Sequence, residues 1–367
     1  MINYSIATNF DDKLIQGMVK LNSQFKNGRV AEIFGCLSQS LTGSGRSSVG
    51  LTNISLVDLQ KHIQLAHKHH IKFNYLMNSI FLPKMKNKVW LKKLDRFVLQ
   101  LIKAGVDSVT VANKDLAKYL RQQFPNLKLH VSLIAGVESV KEAKNWDKIG
   151  VAQITLNQHS LNRDLALIKR IRQAVKCKIQ LYANISCLAD CPLRQKHYQW
   201  LNQQSTLSNK SQQKIDRFIL HCENIYLKNP INLLRSPFIR PEGIKLYTKI
   251  GICNFKLSDR RDPTNFLIKL ATAYLRGSFS GNLFNLLFRD GRKWSNAVRA
   301  VADVKKIGQP NIIIDNSKLT ALDFDRQVTT IRNKDLMNYY QLATKASVRG
   351  LTNYRTREFH NKLNSII

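Results

Sequence analysis

Two thiols four residues apart carry the most chemical information in this chain. In Asn184-Ile185-Ser186-Cys187-Leu188-Ala189-Asp190-Cys191-Pro192-Leu193-Arg194-Gln195-Lys196-His197, Cys187 and Cys191 flank a turn. Thiolates are soft ligands, and a loop lets both converge on one metal ion or on two irons of a cluster. Cys222 follows, then Cys253, with Cys36 and Cys177 making up the six cysteines. Three readings compete. A cubane cluster takes four thiolates, here Cys187, Cys191, Cys222 and one of Cys253, Cys36 or Cys177. A zinc tetrahedron takes Cys187, Cys191, His197 and Cys222. In the third reading the thiols are merely buried, as free cysteines commonly are. No C-x3-C-x2-C run is present, so a radical-type three-cysteine loop is not indicated.

Other residues suit anion recognition. Thr42-Gly43-Ser44-Gly45-Arg46-Ser47-Ser48 offers backbone N–H groups to an anion, and Arg46 can grip a carboxylate or phosphate through paired hydrogen bonds. The alternative is a plain turn; the Lys-Ser/Thr ending of a P-loop is missing. In Arg235-Ser236-Pro237-Phe238-Ile239-Arg240-Pro241-Glu242 two prolines stiffen the loop and hold Arg240 and Glu242 in place, so that either they form a structural ion pair or Arg240 anchors an acidic ligand. Lys256 alternates with Phe255 and Leu257, and a lysine inside a strand needs a partner, which favours a ligand-facing role; Arg260 lies just beyond. Arg194 and His197, three apart, share a face if helical. With Lys256, Arg240, Glu242 and His197 as catalytic candidates, the substrate contacts expected are Arg46, Ser44, Asn78, Arg194 and Arg260. No Ser/His/Asp order, H-E-x-x-H or G-x-S-x-G appears, which counts against an ordinary hydrolase.

These residues fall at the ends of short β-rich runs separated by amphipathic helical stretches, the pattern of repeated βα units. Eight runs are readable: residues 30–36, 72–78, 107–113, 127–133, 152–158, 178–184, 231–237 and 253–259. Helical spacing marks LVDLQKHIQLAHKHH, WLKKLDRFVLQLIKAG, KDLAKYLRQQF, LNRDLALIKRIRQAV and TNFLIKLATAYLRG. The expected fold is an α/β, TIM-type (β/α)8 barrel over 1–287 with a basic C-terminal extension over 288–367; an open doubly wound sheet is the alternative. Two connections, 37–71 and 185–230, are long, and barrel enzymes place chemistry on such loops. The second holds the polar stretch NQQSTLSNKSQQK, and the extension holds NAVRAVADVKKIG, the apolar run IIID and a final Tyr/Arg mixture. On a barrel, Cys253 and Cys177 precede their strands and point to the wrong end, while Cys36 sits at an exit, so the fourth ligand stays open.

The formal charge of +34 over 367 residues attracts RNA, DNA or an anionic surface. Residues 281–367 hold 15 Lys and Arg and 7 Asp and Glu, close to the density of the whole chain, so the charge is spread, as an AT-rich genome would also produce. The opening MINYSIATNFDDK lacks a secretion signal, and no apolar run reaches a bilayer span, so a cytoplasmic protein is expected.

Four blocks resemble the U32, or collagenase-like, "peptidase" family: EIFGCLSQSLTGSGR with KHHIKFNYLMNS, ANISCLADCPLRQKH, LLRSPFIRPEGIKLY, and GICNFKLSDR with TNFLIKLATAYLRGSFSGNL. The resemblance implies a TIM-type barrel whose cysteines bind a 4Fe–4S cluster and, in studied relatives, oxygen-independent hydroxylation of a ubiquinone precursor or of RNA bases. It makes Cys187, Cys191 and Cys222 cluster cysteines, and Arg240, Glu242, Lys256 and Arg260 recurring positions. It also raises a second U32-family chain as partner. Where many relatives have K-I-x-G-R, this chain has Lys256-Leu257-Ser258-Asp259-Arg260, and the position of Cys253 is commonly not cysteine. The leading expectation is an iron–sulfur-dependent, oxygen-independent hydroxylase-type enzyme acting on RNA or on an aromatic or quinone precursor. The alternatives are an accessory RNA-binding barrel with structural zinc and a metal-dependent peptidase.

Overall fold

The computed structural model describes residues 1–38, 41–46, 51–80, 82, 85–206, 216–257, 259–288, 311–352 and 354–364. Eight parallel strands close into a barrel: β1 (Ile2–Ala7), β2 (Gly28–Gly35), β3 (Lys72–Met77), β4 (Ser108–Val111), β5 (Lys128–Val131), β6 (Gln153–Thr155), β7 (Lys178–Tyr182) and β8 (Asn254–Leu257). Each strand pairs with its neighbour in sequence, and β8 returns to β1 through Asn3–Asn254 to Ile6–Leu257. The (β/α)8 expectation holds.

The membership of the barrel differs from the sequence reading in two places. The first strand is INYSIA, whose alternation sends Tyr4 and Ile6 outward; the Tyr4 hydroxyl donates to the Tyr274 carbonyl at 2.8 Å in the helix Thr264–Arg276. The run 231–237 is not a strand. It is the short helix Ile231–Arg235 followed by extended chain, because a run this short with three apolar residues in five is compatible with either state and Pro230 opens a helical turn. The two differences cancel in the count.

Along each strand the outward residues are apolar and pack under helices at spacings of three and four, such as Leu94, Val98 and Leu101 of Lys88–Lys103. The inward residues of the layer beneath the strand exits are polar. Gln180 donates to Ser5 at 3.1 Å, Ser5 to Glu32 at 2.6 Å, Thr155 to Gln180 at 2.9 Å, and Thr110 to Asn74 at 2.6 Å. Barrel interiors usually fill with Val, Ile and Leu. Here a hydrogen-bonded layer takes their place, and every buried polar group in it needs a partner.

Beyond the barrel, β9 (Ile313–Ile314) pairs antiparallel with β10 (Val348–Arg349). The helices Asn316–Ala321, Phe324–Thr330 and Asn333–Ser347 join the same hydrophobic core through Leu319, Phe324, Val328, Tyr340 and Ala343. The stretch NAVRAVADVKKIG, residues 207–214 of the polar segment, Ser47, Ser48 and Ser258 lie outside the described residues. Among the described residues no helix is long and apolar enough to cross a membrane.

Candidate ligand cavity and cysteine rim

A cavity of about 190 Å³ opens at the C-terminal ends of the strands, where barrel folds bind ligands. Its apolar wall includes Phe34, Leu76, Ile134, Tyr182 and Leu201; its polar wall includes Arg46, Asn78, His197, Lys256, Asp259 and Arg260. The loop carrying Thr42 to Arg46 is pinned across the mouth. Gly45 N–H donates to Asn78 Oδ1 at 3.0 Å, Asn78 Nδ2 donates to Ser132 at 3.1 Å, and Ser44 N–H donates to Ser205 at 2.8 Å. Gly45 is needed here: a Cβ would overlap Ile134 Cδ1 and stand 3.1 Å from Asn78 Nδ2.

Three cations reach this cavity in different circumstances. Arg46 pairs with Asp259 at 2.9 Å. Arg260 donates to Ser44 Oγ at 3.2 Å and to the Cys36 sulfur, so its hydrogen bonds go to a hydroxyl and a thiol group instead of a carboxylate. Lys256 lies over the Phe34 ring, its Nζ 3.8 Å from the centroid. Burial pushes its amine down to about 8, Glu32 pulls it up and Arg260 pushes it further down. His197 Nε2 bonds Asp216 at 2.9 Å while its ring stacks on Phe218.

The cysteines divide by end of barrel. Cys187, in the loop after β7, and Cys222, on the helix Arg217–Lys228, both line the cavity. Cys191 touches Cys222, whose thiol donates to it and holds Cys191 below the usual thiol range. The same contact, with burial, pushes Cys222 up. Cys253 stands immediately before β8, its carbonyl accepting from Asn3 N–H at 2.8 Å at the opposite end of the barrel. It is therefore removed from the ligand set, because a strand's length separates it from the rim. Cys36 is buried at the exit of β2, against Arg260.

Three further assignments change. Arg240 and Glu242 do not reach the cavity. Arg240 is 1 % exposed; it grips Asp325 with Nη2–Oδ2 at 2.5 Å and donates to Asn316 Oδ1 at 2.9 Å and to Thr320 at 3.2 Å. Glu242 accepts from Phe279 N–H and Asn316 Nδ2, each at 2.8 Å. Both are structural and fasten the C-terminal segment, since that segment supplies the partners a ligand would otherwise provide. Arg194 begins the helix Arg194–Thr206 and donates to the carbonyls of Leu188 and Ala189, bracing the cysteine turn instead of a substrate.

Sequence reasoning missed Arg163, whose guanidinium lies 5.2 Å from Phe238, 5.5 Å from Phe324 and 5.4 Å from Tyr340 in the same fastening. It also missed Glu32 and His130 beneath the cavity. For His130, a polar residue alternating with apolar ones in a strand was the available signal; Glu32 had none.

Taken together, the fold and cavity define a TIM-type barrel protein with its ligand site at the strand exits. A family model for peptidase family U32 matches residues 41–189. An uncharacterized protease of Methanocaldococcus jannaschii is 32% identical over 250 residues, covering 67% of this chain and 72% of that protein. The chain belongs to the peptidase U32 family. It is also 27% identical over 149 residues to the tRNA hydroxylation protein P2 of Bacillus subtilis, covering 40% of this chain and 46% of that protein. Among solved structures, a U32 peptidase superposes with a TM-score of 0.52 at 15% identity, over 71% of this chain and 93% of that one, a likeness of fold.

Proposed function

We propose that this protein is an iron–sulfur-dependent, oxygen-independent hydroxylase-type enzyme acting on RNA or on an aromatic or quinone precursor. The observation that carries the reading is that Cys187 and Cys222 stand in the wall of the cavity that also holds Arg46, Lys256 and Arg260, with Cys191 in contact with Cys222.

The donor set suits a thiolate-held cluster. Among the described residues no three His, Cys, Asp or Glu side chains converge as for a single ion, and His197 Nε2 is bonded to Asp216, which leaves the zinc set only Nδ1 of that ring. Cys187, Cys191 and Cys222 would hold the cluster, with one iron open or met by a fourth group. When bound, such a cluster supplies one-electron redox chemistry.

The chain's own residues do the rest. Arg260, with its charge uncompensated by a bonded carboxylate, and Lys256 attract an anionic group. Phe34, Leu76, Ile134 and Tyr182 offer flat apolar surface to a ring and exclude water. The relative named for tRNA hydroxylation and the charge of +34 support RNA as the substrate class.

Protein purified without oxygen should contain iron with matching sulfide and absorb broadly in the visible blue, and Cys191→Ser should bleach it. Zinc alone, or no metal, overturns the assignment. Peptide hydrolysis by metal-free protein, unchanged in the Cys191→Ser variant, would instead support the activity in the family's name.

A further inference from the structure

Beneath the cavity the polar layer converges on one carboxylate. In register, Ser5 pairs with Glu32 on one side and with Lys256 on the other. Glu32 and Lys256 thus flank the same inward-facing residue. Glu32 faces inward only because of a bulge: Tyr4 pairs with Val30 but Ser5 pairs with Glu32, leaving Ala31 as an extra residue. Without the bulge, strict alternation from Val30 through Ala31 would send Glu32 outward under the helices, and bulges characteristically re-aim a side chain in this way.

The neighbours of Glu32 fix what it can do. Ser5 Oγ donates to Oε1 at 2.6 Å, oriented by Gln180, which is in turn held by Thr155 of the cavity wall. Gln180 joins this chain through its amide, so the chain orients Glu32 and does not conduct protons. On the other side His130 Nδ1 lies 3.8 Å from Oε2. It accepts from Asn74 Nδ2 at 2.8 Å, because Asn74 Oδ1 is taken by Thr110. His130 therefore offers Glu32 no proton. Lys256, across Ser5, is the cation whose field acts most strongly on it.

We propose that Glu32 is a positioning residue whose carboxylate, set across Ser5 from Lys256, acts through its field on the lysine and thereby sets the charge the lysine presents to a bound anion. The inference rests on the reading of the cavity as an anion site but not on the cysteine cluster. Glu32 and His130 are each 13% exposed, yet neither lines the cavity. The charged groups facing the pair are Arg260 beside Lys256, Lys72 and Asp107 around Glu32, and Lys72, Lys128 and Lys178 around His130. Burial pushes the Glu32 carboxyl up, against the pull of Ser5 and Lys256.

The test is brief acylation with isotopically labelled acetic anhydride over a pH series, with Lys256 read by peptide mass spectrometry and exposed lysines as internal reference. Only the neutral amine reacts. The expected midpoint is about 8 in the native chain, falling by on the order of one pH unit in Glu32→Gln as the counter-charge is lost. Ser5→Ala should move it the same way by less, and carries the test if Glu32→Gln fails to fold. An ordinary lysine midpoint, no labelling of Lys256 at any pH, or a midpoint unmoved by the folded variants overturns the proposal. Iron and sulfide content plays no part in this readout, so a colourless protein with the shifted lysine would sink the cluster and keep the pair.

Discussion

The mouth of the barrel and the seam around Arg240 contain the same kinds of residue, arginines and carboxylates on loops at the barrel's edge, yet they serve opposite ends. At the seam every charge of Arg240 is met by the chain itself, through Asp325, Asn316 and Thr320. At the mouth Arg260 bonds a hydroxyl and a thiol, and Lys256 rests on a ring. A buried cation met by the protein is part of the fold. One left facing a cavity waits for a ligand and costs the fold something while it waits.

Removing charge should therefore act in opposite directions at the two places. The largest effect belongs to the seam. Arg240→Ala leaves Asp325 buried without its partner and should cost about 3–5 kcal/mol in urea unfolding, with early proteolysis between residues 311 and 364. A loss below about 1 kcal/mol would show the seam to be as ligand-ready as the mouth, and break the comparison. Gly243→Ala probes the same contact sterically. The added Cβ would stand 2.7 Å from Asp325 Oδ1, so a loss of about 1–3 kcal/mol is expected, with the metal content unchanged.

How far the sequence foretold this division depended on distance along the chain. The partners of Arg240 lie 76 and 85 residues away, in a stretch with no pattern of its own, so nothing local distinguished a clamp from a binding arginine. Lys256, Arg46 and the cysteine turn were legible because a polar residue at the exit of a β-rich run has few structural uses. Cys253 was doubtful from the start for the same reason, since it precedes its strand. Glu32 was invisible: one extra residue, Ala31, reverses the alternation that assigns a face. The strand Ile2–Ala7 was passed over because its six residues are half polar, and only closure of the barrel gives that polarity an interior to face.

At the mouth the expected sign reverses. The Lys256 amine has the ordinary value of 10.5 in the unfolded chain and about 8 in the fold. Between these values the unfolded chain holds the additional proton, so stability rises as pH increases through that window; below pH 8 both states are charged and the penalty is full. Lys256→Met should thus be more stable than the native chain by about 1 kcal/mol at pH 7, with the margin shrinking as pH approaches 10.5. Equal or lower stability at pH 7 would mean Glu32 already compensates the ammonium in full.

Arg46 gives the smallest change in stability and sharpens the contrast most. Its side chain is 26% exposed, and its partner Asp259 keeps a second cation, Arg261, at 3.6 Å. Arg46→Ala should cost less than about 1 kcal/mol in unfolding, an amount the seam could not lose unnoticed. If the mouth recognises anions, the same change should weaken binding of benzoate, followed by line broadening in NMR, by about tenfold, the worth of one charge-assisted hydrogen bond. Benzoate bound equally by both proteins would assign Arg46 to Asp259 alone and make it a second clamp, leaving Arg260 and Lys256, among the described residues, as the cations of the cavity wall that meet a ligand.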